Sequence, residues 1–207
     1  MPVEVNITED MINECYSFAS KIILGDNQYD RLPATIDKRI ERTFAGKLAE
    51  LAFHKYLTEQ GKDVPLGDMF KIHDGKENGD ICDFRTKDGK TIDVKSASRI
   101  DHYMIMVPID QFESIPKDYY VGVKINTGVT KDEDIPVNAI ETATIYGYCE
   151  YEYLRKKDTK NYLPKRDRHK KSKQIESTGE ILEYEEGDCK PAQLERLWDI
   201  KNLIDRF

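Results

Sequence analysis

The stretch GDICDFRTKDGKTIDVKSAS, residues 79–98, decides how the fold is read. Two strand-like runs, ICDFRT and TIDVKSA, flank KDGK, and Asp88-Gly89 is a turn signal between them, so the stretch predicts a β-hairpin. Acidic residues are unfavourable on strands, yet this hairpin carries Asp80, Asp83 and Asp93. Asp93 and Lys95 lie two apart and project from one face of the second strand, while Ile92 and Val94 face the other way, into the core. The same alternation also describes an ordinary half-exposed hairpin, whose surface Asp–Lys pair is worth ~0–1 kcal/mol.

The turn decides which upstream aspartate joins Asp93. A two-residue loop at Asp88-Gly89 pairs Lys87 with Lys90 and puts Asp83 opposite Val94, on the wrong face. A three-residue loop over Lys87-Asp88-Gly89, with Gly89 in the left-handed region, pairs Thr86 with Lys90. Asp83 then falls opposite Asp93, with Cβ atoms about 5 Å apart. Asp80 lies on the other face unless the strand bends, so Asp83 is preferred and Asp80 is the second candidate. Two carboxylates this close repel unless a cation or proton intervenes. An oxygen-rich, partly open site suits Mg²⁺ or Mn²⁺, and a lysine beside it can orient an attacking water or stabilise charge on phosphate oxygens.

Upstream, residues 8–24 read as a helix with Thr8 as N-cap and Gly25 as stop, its apolar stripe running through Met11, Ile12, Cys15, Phe18, Ala19 and Ile22. A second helix spans roughly 36–60, with Gly61 just past its end. Glu50 shares a face with Gly46, Phe53 and Leu57, where an unpaired carboxylate is costly. Either it reaches water at the margin of the stripe, or a cation meets it inside. Gly46, ~1 kcal/mol worse than alanine in a helix, hints at close packing there. Residues 62–79 read as loop.

Downstream, 102–109, 119–126 and 141–151 are strand candidates, 110–116 holds a short helical turn, and Pro191 starts a C-terminal helix over 191–206. The expected class is α/β, a mixed sheet flanked by helices in a single domain spanning 1–207.

Composition sets the remaining bounds. No apolar run approaches the ~20 residues of a bilayer span, and the acidic start MPVEVNITED has no apolar leader core, so a cytoplasmic protein without membrane contact is expected. Cys15, Cys82, Cys149 and Cys189 are scattered without a CxxC pair and read as reduced, mostly packed thiols. His54, His73, His102 and His169 are equally dispersed. There is no glycine-rich phosphate loop and no GxSxG elbow. The net charge of −7 argues against a simple polyanion binder, but residues 155–173 hold ten Lys/Arg against two Asp, next to the acidic run at 180–188. This basic insertion is either a solvated, self-paired loop or a patch that tracks phosphates through Lys165, Arg166, Arg168, Lys170 and Lys171.

Asp83, a ten-residue step to Asp93, then Val94 and Lys95 resemble the D-x(n)-(D/E)-x-K signature of the PD-(D/E)XK nuclease superfamily. GKLAELAFHKYLTEQG, residues 46–61, is similar to the G-x-x-x-E helix motif of its small archaeal and phage members, with Gly46 and Glu50 in the motif positions, and IYGY at 145–148 also looks like that group. The chain departs from the family pattern in having Cys82 where a proline precedes the first aspartate. It also lacks a Q-x-x-x-Y element, since Gln111 and Tyr119 are wrongly spaced.

The resemblance implies a restriction-endonuclease-like αβββαβ core over about residues 36–150 and Mg²⁺- or Mn²⁺-dependent hydrolysis of DNA, with RNA as the other substrate class, that leaves a 5′-phosphate. Asp83, Asp93 and the Val94 carbonyl would hold metal, Glu50 a second metal or its water, and Lys95 would assist the nucleophile. An endonuclease is expected, and a homodimer suits cutting both strands. The competing expectations are a nucleic-acid-binding protein that keeps this fold without turnover, and a structural protein with an ordinary charged hairpin.

Overall fold

The computed structural model describes residues 1–25, 35–67, 69–71, 82–130, 133–161, 172–174, 181–183 and 187–207. Strand β1 (Val3–Asn6) precedes helices α1 (Glu9–Leu24) and α2 (Ile36–Glu59). The hairpin follows as β2 (Phe84–Arg85) and β3 (Thr91–Ala97), then β4 (Met104–Pro108), α3 (Ile109–Ser114), β5 (Tyr119–Ile125) and β6 (Thr142–Glu150). After it come α4 (Tyr151–Arg155), β7 (Lys160–Asn161), β8 (Ser172–Gln174), β9 (Ile181–Glu183), β10 (Asp188–Gln193) and α5 (Lys201–Ile204). Among the described residues no helix is long and apolar enough to cross a membrane.

Helix α1 begins at the expected cap, Thr8, and α2 begins at a cap the sequence reading did not name, Thr35. Thr8 accepts the Met11 N–H and Thr35 the Lys38 N–H, satisfying donors that a helix start leaves open. Gly61 follows α2 at φ +70°. The chain is a mixed α/β structure whose five-stranded sheet runs β1-β6-β5-β3-β2. Within it β3 and β5 are parallel, and the other pairs are antiparallel.

One face of this sheet buries Ile92, Val94, Val121 and Val123 under α2, on which α1 packs in turn. The opposite face presents Ala97, Tyr120 and Cys149 to Ile105, Val107, Phe112, Leu154 and Leu194, giving a second apolar cluster. Three of the four cysteines, Cys15, Cys149 and Cys189, are buried free thiols, as the packed reading expects.

Several expectations need correction. The hydrophobic spacing over 191–206 does not form one long helix. Residues 188–193 are strand β10, and only Lys201–Ile204 is α-helical. Strand β10 pairs with β4, whose backbone would otherwise be an open edge, and this pairing with burial of Ala192 and Leu194 outweighs helical periodicity. Pro191 is tolerated because β7 pairs only with Asp188 and Cys189, so one side of the strand is open at the proline.

The strand expected at 102–109 forms, but in a separate sheet of order β4-β10-β7. Strand β1 is an addition with no long apolar run behind it. It is held by four pairs to β6. The end of the basic run and the start of the acidic run pair through their backbones as β8 and β9, as a self-paired loop would. Lys165, Arg166, Arg168, Lys170, Lys171 and Asp80 lie outside the described residues.

The C-terminal segment reaches the sheet through two glycines. Gly122 pairs with Gly147, and the register then shifts to Val123↔Ile145, so Tyr146 has no residue opposite it. Gly147, in IYGY, sits at φ +145°, and an added Cβ would stand 2.1 Å from the Trp198 carbonyl oxygen. That approach lets Tyr148 and Trp198 exchange two backbone hydrogen bonds of 3.0 and 2.8 Å. Gly147→Ala is expected to destabilise the fold by roughly 3 kcal/mol or more, through left-handed strain and displacement of Trp198. Thermal unfolding checks this, at roughly 2–4 °C per kcal/mol for a chain of this length.

Candidate active site

The hairpin adopts the three-residue turn. Gly89 has φ +80°, its N–H donates to the Thr86 carbonyl at 2.9 Å, and Thr86 N–H donates to the Lys90 carbonyl at 3.0 Å. Phe84 pairs with Ile92 and Arg85 with Thr91, the register expected of the three-residue loop, while the Asp83 N–H also donates to the Ile92 carbonyl at 3.0 Å. The ladder ends at Phe84. The Val94 N–H, left without a strand partner, is accepted by the Asp83 carboxylate at 2.6 Å. A strand residue turns its N–H and C=O to the same neighbour, so the Val94 carbonyl faces the edge that Asp83 occupies.

Asp93 and Lys95 project together from β3, their side chains paired at 2.7 Å. Lys95 Nζ also donates to Gln111 Oε1 of α3 at 3.3 Å. From the helical side comes Glu50. Position is set further along α2, where Arg99, just beyond β3, donates to Glu41 at 2.8 Å and Glu41 also accepts the Ile135 N–H at 2.6 Å. Nine residues of helix, about 13.5 Å at 1.5 Å per residue, separate Glu41 from Glu50.

A cation does meet Glu50, and it comes from the same helix. Lys47 Nζ lies 2.6 Å from the Glu50 carboxylate, and both side chains are about 85% buried, with 14% and 15% exposure. Lys47 also stands over the Phe18 ring, 5.2 Å from its centroid. Gly46, by contrast, is not closely packed. A Cβ there would meet nothing within 4 Å.

Electrostatics link the four residues that the sequence singled out. Burial raises the Glu50 carboxyl above its ordinary value, opposed by Lys47, while Asp93 adds to the rise. Asp83 is pushed well above the carboxylate range by burial first, then by the charges of Glu50 and Asp93, against the Val94 N–H and Lys95. Glu50, Asp83, Asp93 and Lys95 therefore lie within reach of one another's charge. Even so, among the described residues no three His, Cys, Asp or Glu side chains are grouped tightly enough to hold a metal ion. Asp93 is closed on Lys95 and Glu50 on Lys47.

A cleft opens on the Asp93 side, lined by Cys82, Asp93, Gln111, Ile115, Lys117 and Tyr120. Sequence reasoning singled out neither Lys47 nor Lys117. The i,i+3 spacing of Lys47 to Glu50 could have revealed the first; nothing in the local pattern marks the second. Burial lowers the Lys117 ammonium below its ordinary value, opposed by Asp93. In comparisons with known proteins the chain matches no family profile, no curated protein and no solved structure.

Two stability measurements follow. A carboxyl whose folded pKa is raised makes the folded state hold more protons than the unfolded chain. Stability therefore falls as pH climbs from the ordinary carboxylate range through the raised value, and stays reduced above it. Asp83→Asn keeps an acceptor for Val94 and removes the charge, so it should raise the melting temperature of the metal-free protein at neutral pH and flatten its decline with pH. Gly46→Ala fills open space in α2 and should add ~1 kcal/mol, read as a rise of roughly 2–4 °C.

Proposed function

We propose that this chain is a divalent-metal-dependent nuclease of the PD-(D/E)XK type that hydrolyses DNA phosphodiester bonds. The observation that carries the reading is the convergence of Asp83 with Asp93 and Lys95 across a hairpin of the required register, joined by Glu50 from α2. The elements from α2 to β5 follow the order helix, three strands, helix, strand, which supports a restriction-endonuclease-like core, although β4 pairs outside the main sheet.

The donor chemistry fits a hard divalent cation. Every donor is oxygen, and burial penalises the charge of two of the three carboxyl groups, Glu50 and Asp83. Asp83, Asp93 and the Val94 carbonyl would hold Mg²⁺ or Mn²⁺, with Glu50 completing the set once Lys47 and Lys95 release their carboxylates. Such an ion supplies a Lewis acid for the phosphate and lowers the pKa of water. Lys95, on the same face as Asp93, is placed to orient the attacking water or to offset charge growing on the phosphate oxygens. The ordered arrangement of β3 and α2 holds these groups in advance of substrate.

The two ion pairs also support a second reading, a nucleic-acid-binding protein of this fold in which Lys47 and Lys95 hold the carboxylates permanently.

Plasmid, linear, single-stranded and branched DNA should be cut in Mg²⁺ or Mn²⁺ and left intact with a chelator. Asp83→Asn, Asp93→Ala and Lys95→Ala should each lower the rate by about 10²-fold or more. Unchanged activity in Asp93→Ala and Lys95→Ala would refute the assignment. Either ion should raise the melting temperature of the parent protein by mass action and leave that of Asp83→Asn unaltered. DNA binding without cleavage or thermal shift would select the second reading.

A further inference from the structure

The cleft beside Asp93 is lined by a lysine, Lys117, that no carboxylate pairs among the described residues. Lys95 is engaged by Asp93 and Gln111, and Lys47 by Glu50. Lys117 forms no ion pair among the described residues. The Lys117 Nζ donates only to the Ile115 carbonyl, at 2.5 Å, although the side chain lines the same cleft as Asp93.

The backbone that carries it is fixed from both sides. Lys117 N–H donates to Tyr120 Oη at 3.2 Å. The next residue, Asp118, accepts the Thr91 N–H at 2.9 Å and pairs with Lys90 Nζ at 2.9 Å, while its own N–H donates to Thr91 Oγ1 at 3.1 Å. These contacts tie the start of β5 to the start of β3, two residues from Asp93. An ammonium on a fixed corner, half-buried and satisfied by one neutral carbonyl, can exchange that carbonyl for an anion at little conformational cost.

We propose that Lys117 is a substrate-binding residue that donates to a non-bridging phosphate oxygen of the nucleic-acid backbone in this cleft. This rests on the nuclease reading and deepens it. It gives the site a fixed cation for the phosphate chain and leaves Lys95 for the reacting group. A merely structural role is the alternative, since the Ile115 carbonyl lies at the end of α3 and Lys117 would then serve only to cap that helix.

The test is binding of labelled single-stranded and duplex DNA oligonucleotides at several KCl concentrations, in an Asp83→Asn background that removes turnover. Lys117→Ala should weaken binding about fivefold or more, equally across sequences, and reduce the salt slope by about one ion. Lys117→Arg should restore both, although the melting temperatures of all three proteins stay within a few degrees. With Asp83 intact, Lys117→Ala should raise KM more than it lowers kcat. A Lys117→Ala protein with the parent's affinity and salt slope overturns the proposal and leaves the nuclease reading standing. A parent protein that neither binds nor cuts DNA overturns both.

Discussion

Gly89 sets the register on which the site depends. Its positive φ closes a three-residue turn, and Thr86 locks that turn by donating to Asp88 and accepting the Lys90 N–H. One residue fewer in the loop would move every side chain of one strand to the other face relative to its partner. Ile92 and Val94 can be buried under α2 only if Asp93 and Lys95 point away from it. Asp83 then arrives where the ladder stops, at an open strand edge that its carboxylate can cap.

The charge balance is deliberately incomplete in physical terms. Three carboxyl groups lie within electrostatic reach, and two lysines are paired with two of them. Asp83 has a backbone N–H in place of a cation, and its carboxyl is the one pushed well above the usual range. A fold under selection for stability alone gains nothing from burying like charges. Residues that break local rules without a structural return collect at functional sites, where the stability they forfeit maintains a group ready for a ligand. Gly46 fits the same pattern, since open space surrounds it in a helix interior four residues before Glu50.

Local signals in the sequence were sufficient for both long helices, because Thr8 and Gly61 act within one turn of the chain. The hairpin itself was legible from short-range turn chemistry, but the sequence allowed both a two-residue and a three-residue loop, and the backbone of Gly89 decides between them. Long-range decisions were not legible. Residues 191–206 carry helix-like spacing, yet their strand is fixed by the open edge of β4, some eighty residues away. Strand β1 is too short for periodicity to separate it from a tail, and its pairing with β6 is what makes it a strand. Lys117 is one charge in a loop, and only the meeting of α3, β3 and β5 gives it a cleft to face.

That meeting also explains why the C-terminal segment matters to the site. In parallel pairing, partners across β3 and β5 share a face, so Asp93 stands beside Tyr120 and Lys95 beside Gly122. Tyr120 is buried and forms a wall of the cleft. Gly122 presents no side chain, and the space beside Lys95 is filled by Leu197, Leu194 and Ile105, which would lie 2.4, 3.1 and 3.3 Å from an added Cβ. Leu194 follows directly on β10, the strand that pairs with β4, and Trp198 is held by Tyr148 through the space that Gly147 leaves. Two of the three side chains that close over Gly122, beside Lys95, thus come from the segment after β10, and the third from β4. Substitutions in that segment, or at the two glycines that admit it, should act on the lysine without touching it, by changing the apolar surface on which its stem rests.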